Sequence, residues 1–408
     1  MNNYENCSTV VSDTSQLSRL WLAFILGTLA AFGPLSIDMY LPALPTLSSD
    51  LQASTSLAQL SLTACLFGIA LGQIFAGPIS DIRGRKGPLL VGLFLYVISS
   101  VLCVFSPTIW LFIIMRFIQG LAGSVGIVIA RAAVRDLYSG SEMTRFFSLL
   151  MLVNGVAPIL APVLGGQILQ ITSWRGVFLV LAAIGAFMLV TVFWGFRETL
   201  PPSRRSKGEL KNILHTFYTL MKNRKFMGYA LGQGFIMAAM FAYISGSPFV
   251  IQNIFNVSPQ KFSLFFGING LGIIIASQIT GRLAGRIPEN TLLVSGLAIA
   301  FISSLGLLTS ILFNGGLYTF LVPLFFVISS VGIVGTSSFS LAMQDQAKSA
   351  GSASALIGLL SFVLGGTMAP FVGVAGSHSA LPMGIIIAAS ASAAVLCYLL
   401  LVRPNERL

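Results

Sequence analysis

Residues 57–105 read LAQLSLTACLFGIALGQIFAGPISDIRGRKGPLLVGLFLYVISSVLCVF. No charge occurs from Leu57 to Ser80. Asp81, Arg83, Arg85 and Lys86 then crowd together, and from Gly87 to Phe105 there is again none. A helix rises about 1.5 Å per residue and a bilayer's hydrocarbon core is roughly 30 Å thick, so each flank is long enough to cross it. The stretch therefore predicts two membrane helices joined by a short charged loop.

The same pattern continues in both directions. Apolar runs cover residues 20–44, 57–80, 87–105, 108–132, 145–170, 174–196, 226–252, 262–283, 291–313, 316–341, 351–375 and 381–402. Turn or charge chemistry breaks them, as at Phe105-Ser106-Pro107, Ser139-Gly140, Ser173, Asn314-Gly315-Gly316 and Gly376 to His378. Of the 408 residues 55% are hydrophobic and 9% charged, and the mean hydropathy is +0.90. A soluble domain carries about 25% charge. A soluble enzyme, a disordered chain and a nucleic-acid reader are excluded. The expected fold is an all-α polytopic membrane protein of twelve transmembrane helices.

The formal charge of +11 has a topological meaning. Of the 23 Lys and Arg, Arg175 and Lys261 fall on one side and Arg116 within a span; the rest share the other side, that of both termini. The positive-inside rule makes that side cytoplasmic. The N-terminal residues lack a basic signal-peptide region, so the run from Leu20 is expected to be a retained first span. Cys7 lies in the polar tail, and Cys65, Cys103 and Cys397 in apolar runs, so no disulfide framework is expected. The organisation predicted is a cytoplasmic tail (1–19), a six-helix bundle (20–196), a cytoplasmic central loop (197–225), a second six-helix bundle (226–402) and a short tail (403–408). In the loop, Ile213, Leu214, Phe217, Leu220 and Met221 share a helical face, with Lys211, Lys222 and Arg224 near the other, the pattern of a helix lying in the interface.

The halves also echo each other. Gly77-Pro78-Ile79 through Gly92 has a counterpart in Gly281-Arg282-Leu283 through Gly296, at an offset of half the chain. Two six-helix pseudo-repeats around a central cavity are transporter architecture.

Charges inside spans are costly and are functional candidates by default. Two lie deep: Asp38 and Arg116. Asp38 is flanked by Pro34 and Pro42, which permit a locally broken helix lining a cavity. A carboxyl whose surroundings alternate between wet and dry takes a proton from one side and releases it to the other, and a guanidinium that approaches or withdraws would gate that exchange. A permanent buried ion pair that only fixes helix packing is the competing reading. The second half offers no matching charges, only Gln233, Asn269 and hydroxyls beside Met237, Met240, Phe241 and Tyr243. The expected cavity side chains are Asp38, Tyr40, Gln119 and Asn154 from the first half, with Gln233, Met237, Met240, Tyr243 and Asn269 from the second. Charged on one wall and apolar, aromatic and Met-rich on the other, such a cavity suits lipophilic solutes. Asp136, just past span four, is expected to meet Arg83 or Arg85 and so form an inner latch. Gly155, Pro158, Pro162, Gly165 and Gly166 make span five small on one face and kinked. No metal-ligand spacing, no phosphate-binding loop and no nucleophile-base pair occurs, so no cofactor or enzymatic activity is expected.

With these residues in view, the chain resembles the major facilitator superfamily. Gly77-Pro78-Ile79-Ser80-Asp81-Ile82-Arg83-Gly84-Arg85-Lys86 looks like its signature loop, and Met115-Arg116-Phe117-Ile118-Gln119-Gly120 like the span-four motif of proton-coupled members. Gly155 to Gly166 is similar to the span-five motif of antiporters, with Ala157-Pro158 where many members have Gly-Pro. Ser36 to Pro45 is similar to the first span of the Bcr/CflA branch of bicyclomycin and chloramphenicol exporters. The resemblance implies a drug:H+ antiporter of the bacterial inner membrane. By it Asp38 is the proton site, Arg116 the coupling residue, and Gly77, Asp81, Arg83, Gly84, Arg85, Lys86 and Asp136 the gating network. The expected partners are a small lipophilic substrate, protons and membrane lipid, with no nucleic acid, and the expected state is a monomer. A metabolite or siderophore exporter with incidental drug transport is the alternative within this mechanism. A non-transporting membrane sensor is the alternative outside it.

Overall fold

The computed structural model describes residues 16–205, 218–344, 346 and 350–403. The positions expected in an interfacial helix, Lys211, Ile213, Leu214 and Phe217, lie outside them, as do Cys7 and His215. Twelve helices among the described residues are long and apolar enough to cross a membrane. The first span is α1 (Gln16–Asp38), a 3-10 turn (Leu41–Ala43) and α2 (Leu44–Asp50). The first half continues with α3 (Thr55–Arg83), α4 (Lys86–Val104), α5 (Ile109–Leu137), α6 (Gly140–Ile171) and α7 (Trp174–Gly195). The second holds α8 (Arg224–Phe249), α9 (Pro259–Leu283), α10 (Glu289–Leu312), α11 (Leu317–Met343), α12 (Ala350–Met368) and α13 (Leu381–Cys397).

Lipid offers no partner for backbone polar groups, so each span must satisfy its own. Helix starts are closed by side chains: Ser54, Thr108, Asn223 and Ser258 each accept a backbone N–H three residues on, at 3.1–3.4 Å. Bulky apolar side chains such as Phe94, Phe187, Trp194, Ile302 and Val322 stand exposed, as a lipid-facing surface requires.

The two halves are copies in their packing as well as their sequence. Gly92 and Gly296, equivalent by the half-chain offset, both let α4 and α10 close on a neighbour. A Cβ at Gly92 would meet Val125 of α5 at 2.9 Å, and one at Gly296 would meet Ile333 of α11 at 2.8 Å. Within the first half, α3 approaches α5 through Gly68, Gly72 and Gly120; in the second, α9 approaches α11 through Gly272 and Gly332.

The core is divided unevenly. One apolar cluster joins the halves at the end of the bundle that carries Asp50, with Tyr40, Leu44, Phe112 and Trp174 from the first half beside Phe241, Phe249 and Phe320 from the second. At the opposite end, that of Arg85, there are two separate clusters. One is built around Leu29, Leu93, Ile129 and Val192, the other around Leu293, Leu297, Val334 and Leu356. Hydrogen bonds across the halves follow the shared cluster. Gln59 Nε2 donates to the Ser245 carbonyl (3.1 Å), Thr63 Oγ1 to Gly366 (2.9 Å), Gln252 Nε2 to Pro42 (3.2 Å), Gln260 Nε2 to Gly166 (3.1 Å) and Ser263 Oγ to Pro162 (2.8 Å). The molecule is sealed at the Asp50 end and parted toward the Arg85 end.

The small face of α6 is what lets it lie against the end of α1. A Cβ at Gly165 would fall on the Met39 carbonyl oxygen, whereas one at Gly155 would rest 3.6 Å from Ile274 Cδ1 in ordinary contact. Gly165→Ala is therefore expected to cost about 1–3 kcal/mol through overpacking. Gly155→Ala is expected to be neutral or to stabilise the helix by about 0.5–1 kcal/mol. Thermal unfolding of the two variants in one detergent checks the contrast, and equal shifts would contradict it.

Candidate functional site

Between the halves lies a cavity of about 450 Å³, reaching from mid-membrane toward the Arg85 end. It is lined by Asp38, Asn154, Gln233, Met237, Met240 and Tyr243 of the expected set, together with Pro158 of span five. Tyr40, Gln119 and Asn269 stand behind its walls. Tyr40 and Gln119 are fully buried, and Asn269 Nδ2 donates to the Tyr243 hydroxyl at 3.0 Å, orienting that wall residue from behind.

Asp38 is the last residue of α1. Pro34 is absorbed within the helix, and the expected break falls just after the acid, at Met39 and Tyr40. The side chain is 5% exposed and opens onto the cavity, with neither a hydrogen bond nor an ion pair among the described residues.

Arg116 is not its partner here, so the competing reading of a permanent buried ion pair is corrected. Its Nη2 donates to the Ser36 carbonyl at 2.7 Å, its Nη1 bonds Gln119 Oε1, and the guanidinium lies 4.3 Å over the Tyr40 ring. The reason is local. The last carbonyls of a helix have no intrahelical donor, and α1 ends two residues past Ser36. A cation at that C-terminus satisfies the carbonyl and the helix dipole together, while the ring faces of Tyr40 and Phe178 hold the guanidinium. Arg116 is a fully buried cap that ends α1 and so sets where Asp38 stands. Gln119 completes it by donating to Ser100 Oγ at 2.7 Å.

At the Arg85 end a second group of charges assembles. Arg85, rather than Arg83, turns inward. It is 1% exposed and bonds Asp136 Oδ2 (2.8 Å), Asp81 Oδ1 (2.6 Å) and Ser80 Oγ (2.7 Å). Arg83 is exposed, with no hydrogen bond or ion pair among the described residues. Gly84 makes the turn between them at φ +90°, where a Cβ would strike Glu198. Asp136 lies on the last turn of α5 rather than beyond it. Gly77 has open space around it, the nearest atom to a Cβ being Val128 Cγ1 at 3.9 Å. Lys86 Nζ donates to the Phe193 carbonyl at 2.9 Å.

Glu198 joins this network without having been anticipated. It accepts the backbone N–H groups of Arg85 (2.8 Å), Lys86 (3.2 Å) and Leu200 (3.0 Å). Burial alone would raise its carboxyl, but these donors and the Arg205 charge outweigh it and hold the group below the usual carboxylate range. All of these contacts lie within the first half and the segment after it, so in this state the charges brace one half and leave the Arg85 end parted.

Arg131 was expected in a cytoplasmic segment. Helix α5 runs on to Leu137, which puts Arg131 inside the span and on the cavity wall. No cluster of His, Cys, Asp and Glu able to hold a metal occurs among the described residues.

Twelve spans in two like halves, parted around a cavity with a lone carboxyl, define a carrier that moves small solutes across a membrane. The profile of the Major Facilitator Superfamily matches residues 24–370, and the chain belongs to that family. It is 47% identical over 371 residues to the uncharacterized MFS-type transporter YdgK of Bacillus subtilis, covering 90% of this chain and 92% of that one. It is 29% identical over 390 residues to a bicyclomycin resistance protein homolog of Haemophilus influenzae, covering 96% and 98%. A bacterial homolog of the human lysosomal transporter Spinster, solved inward-facing and occupied, superposes with a TM-score of 0.75 at 14% identity, over 95% of this chain and 98% of that one. The last likeness is one of fold.

Proposed function

We propose that this transporter is a proton-driven antiporter of a bacterial cytoplasmic membrane, exporting lipophilic solutes, antimicrobials among them, by alternating access. The observation that carries the reading is Asp38, a carboxyl without hydrogen bond or ion pair among the described residues, on the wall of a cavity whose other side is Met237, Met240, Phe241 and Phe266. Such a group exchanges its proton with cavity water and yields it when a solute occupies the same space. Arg116 acts on coupling indirectly, by holding the end of α1. The Lys and Arg bias supports a cytoplasmic Arg85 end, with both termini on that side; the parted state is then the one that loads from the cytoplasm. The bicyclomycin resistance homolog supports antimicrobials as cargo.

The test uses purified protein in liposomes with an imposed proton gradient and a trapped pH dye. Addition of chloramphenicol, bicyclomycin or a lipophilic cationic dye is expected to trigger saturable proton movement that protein-free liposomes lack. Proton movement indifferent to every compound, or solute flux indifferent to the gradient, would remove the reading.

A further inference from the structure

The lining of the central cavity includes a second charge, Arg131, which is exposed and has no hydrogen bond or ion pair among the described residues. We propose that it anchors the acidic group of the transported solute, so that this site takes zwitterionic amphiphiles: a carboxylate at Arg131, an apolar body along the Met and Phe wall, and an amine toward Asp38. The proposal rests on reading the cavity as the transport site.

The spacing follows from helix register. Helices α1 and α5 run in opposite directions and touch where a Cβ at Gly126 would meet the Leu29 carbonyl oxygen at 3.4 Å. Asp38 stands nine residues beyond Leu29 toward one end, and Arg131 five beyond Gly126 toward the other. At 1.5 Å per residue their backbones are roughly 20 Å apart along the bundle. Side chains on a helix lean toward its N-terminus, so these two lean toward each other, and the charged groups close to roughly 12 Å. That is the length of a drug-sized molecule charged at both ends. A cavity of about 450 Å³ admits one. A guanidinium that fixed packing would have a protein acceptor, as Arg85 and Arg116 do; Arg131 has none.

Three probes separate the charges: norfloxacin as the zwitterion, its methyl ester without the acid, and its N-acetyl derivative without the amine. Binding to the full chain in detergent is measured by calorimetry for wild type, Arg131→Ala and Arg131→Lys. Losing a charge-assisted hydrogen bond is expected to weaken norfloxacin and the N-acetyl compound about tenfold or more in Arg131→Ala. The methyl ester is expected to change less than about twofold, with most of the acid's affinity recovered in Arg131→Lys. Equal loss for all three probes would make Arg131 structural, and no loss for any would leave it a cation reaching the membrane surface; either overturns the proposal. So would a wild type that binds none of the three. If that wild type still exchanges protons for neutral or cationic compounds, the antiport reading stands while this one falls. Binding that discriminates as expected without proton movement leaves this inference standing and removes antiport.

Discussion

Asp38→Asn is expected to yield a folded protein that no longer concentrates its solute. The amide is close in size and shape, and among the described residues Asp38 has neither hydrogen bond nor ion pair whose loss would orphan a neighbour. What disappears is the exchangeable proton. One charge moved through 100 mV is worth about 2.3 kcal/mol, which at about 1.36 kcal/mol per decade is roughly a 50-fold gradient of a neutral solute. In liposomes the variant is expected to equilibrate solute down its gradient and to stop there, where wild type accumulates against it. Retained accumulation at the wild-type level would move the proton site away from α1.

Arg85→Ala is expected to have the largest effect on stability. The guanidinium is buried against Asp136, whose side chain is only 10% exposed, at 2.8 Å. Removing one partner of a buried pair leaves an uncompensated charge, at about 3–5 kcal/mol. The Asp81 contact adds little, because that carboxylate is 40% exposed. Arg83→Ala, two residues away on an exposed and unbonded side chain, is expected to stay within about 0.5 kcal/mol. Unfolding temperatures of the two variants read the difference directly. A larger fall for Arg83→Ala than for Arg85→Ala would contradict the network as drawn.

Most of the architecture was legible because lipid enforces it. An apolar run of the right length has no fold but a helix, and twelve such runs were found close to where the helices stand. Asp38 was legible for a related reason, since a charge in hydrocarbon is too costly to be incidental. The errors share a cause. Depth in the membrane can be counted along a sequence, but azimuth around a helix and contacts between distant segments cannot. Asp38 and Arg116 have opposite charges at similar depth, yet Arg116 faces a bare helix end and an aromatic cage. Asp81, Arg83, Arg85 and Lys86 look alike in a short loop until the left-handed turn at Gly84 aims one of them inward. Arg131 was missed because it stands at the last positions of the run 108–132 and was counted with the cytoplasmic charges, whereas the helix runs on to Leu137. Glu198 meets Arg85 from more than a hundred positions along the chain, with no local sign of it.

The seal at the Asp50 end has a consequence for how such a protein can change over generations. Among the described residues, the five side-chain hydrogen bonds that cross it are all donated to main-chain carbonyls, those of Ser245, Gly366, Pro42, Gly166 and Pro162. A carbonyl is present whatever the residue, so the acceptor itself asks for no particular side chain, though space does: a Cβ at Gly166 would stand 2.7 Å from Ser263 Oγ. Each bond is worth only about 0.5–1.5 kcal/mol net, and water replaces it when the halves part. The polar part of the seal therefore tolerates exchange of residues at its acceptor positions where space allows, while the apolar cluster shared by the halves keeps their fit.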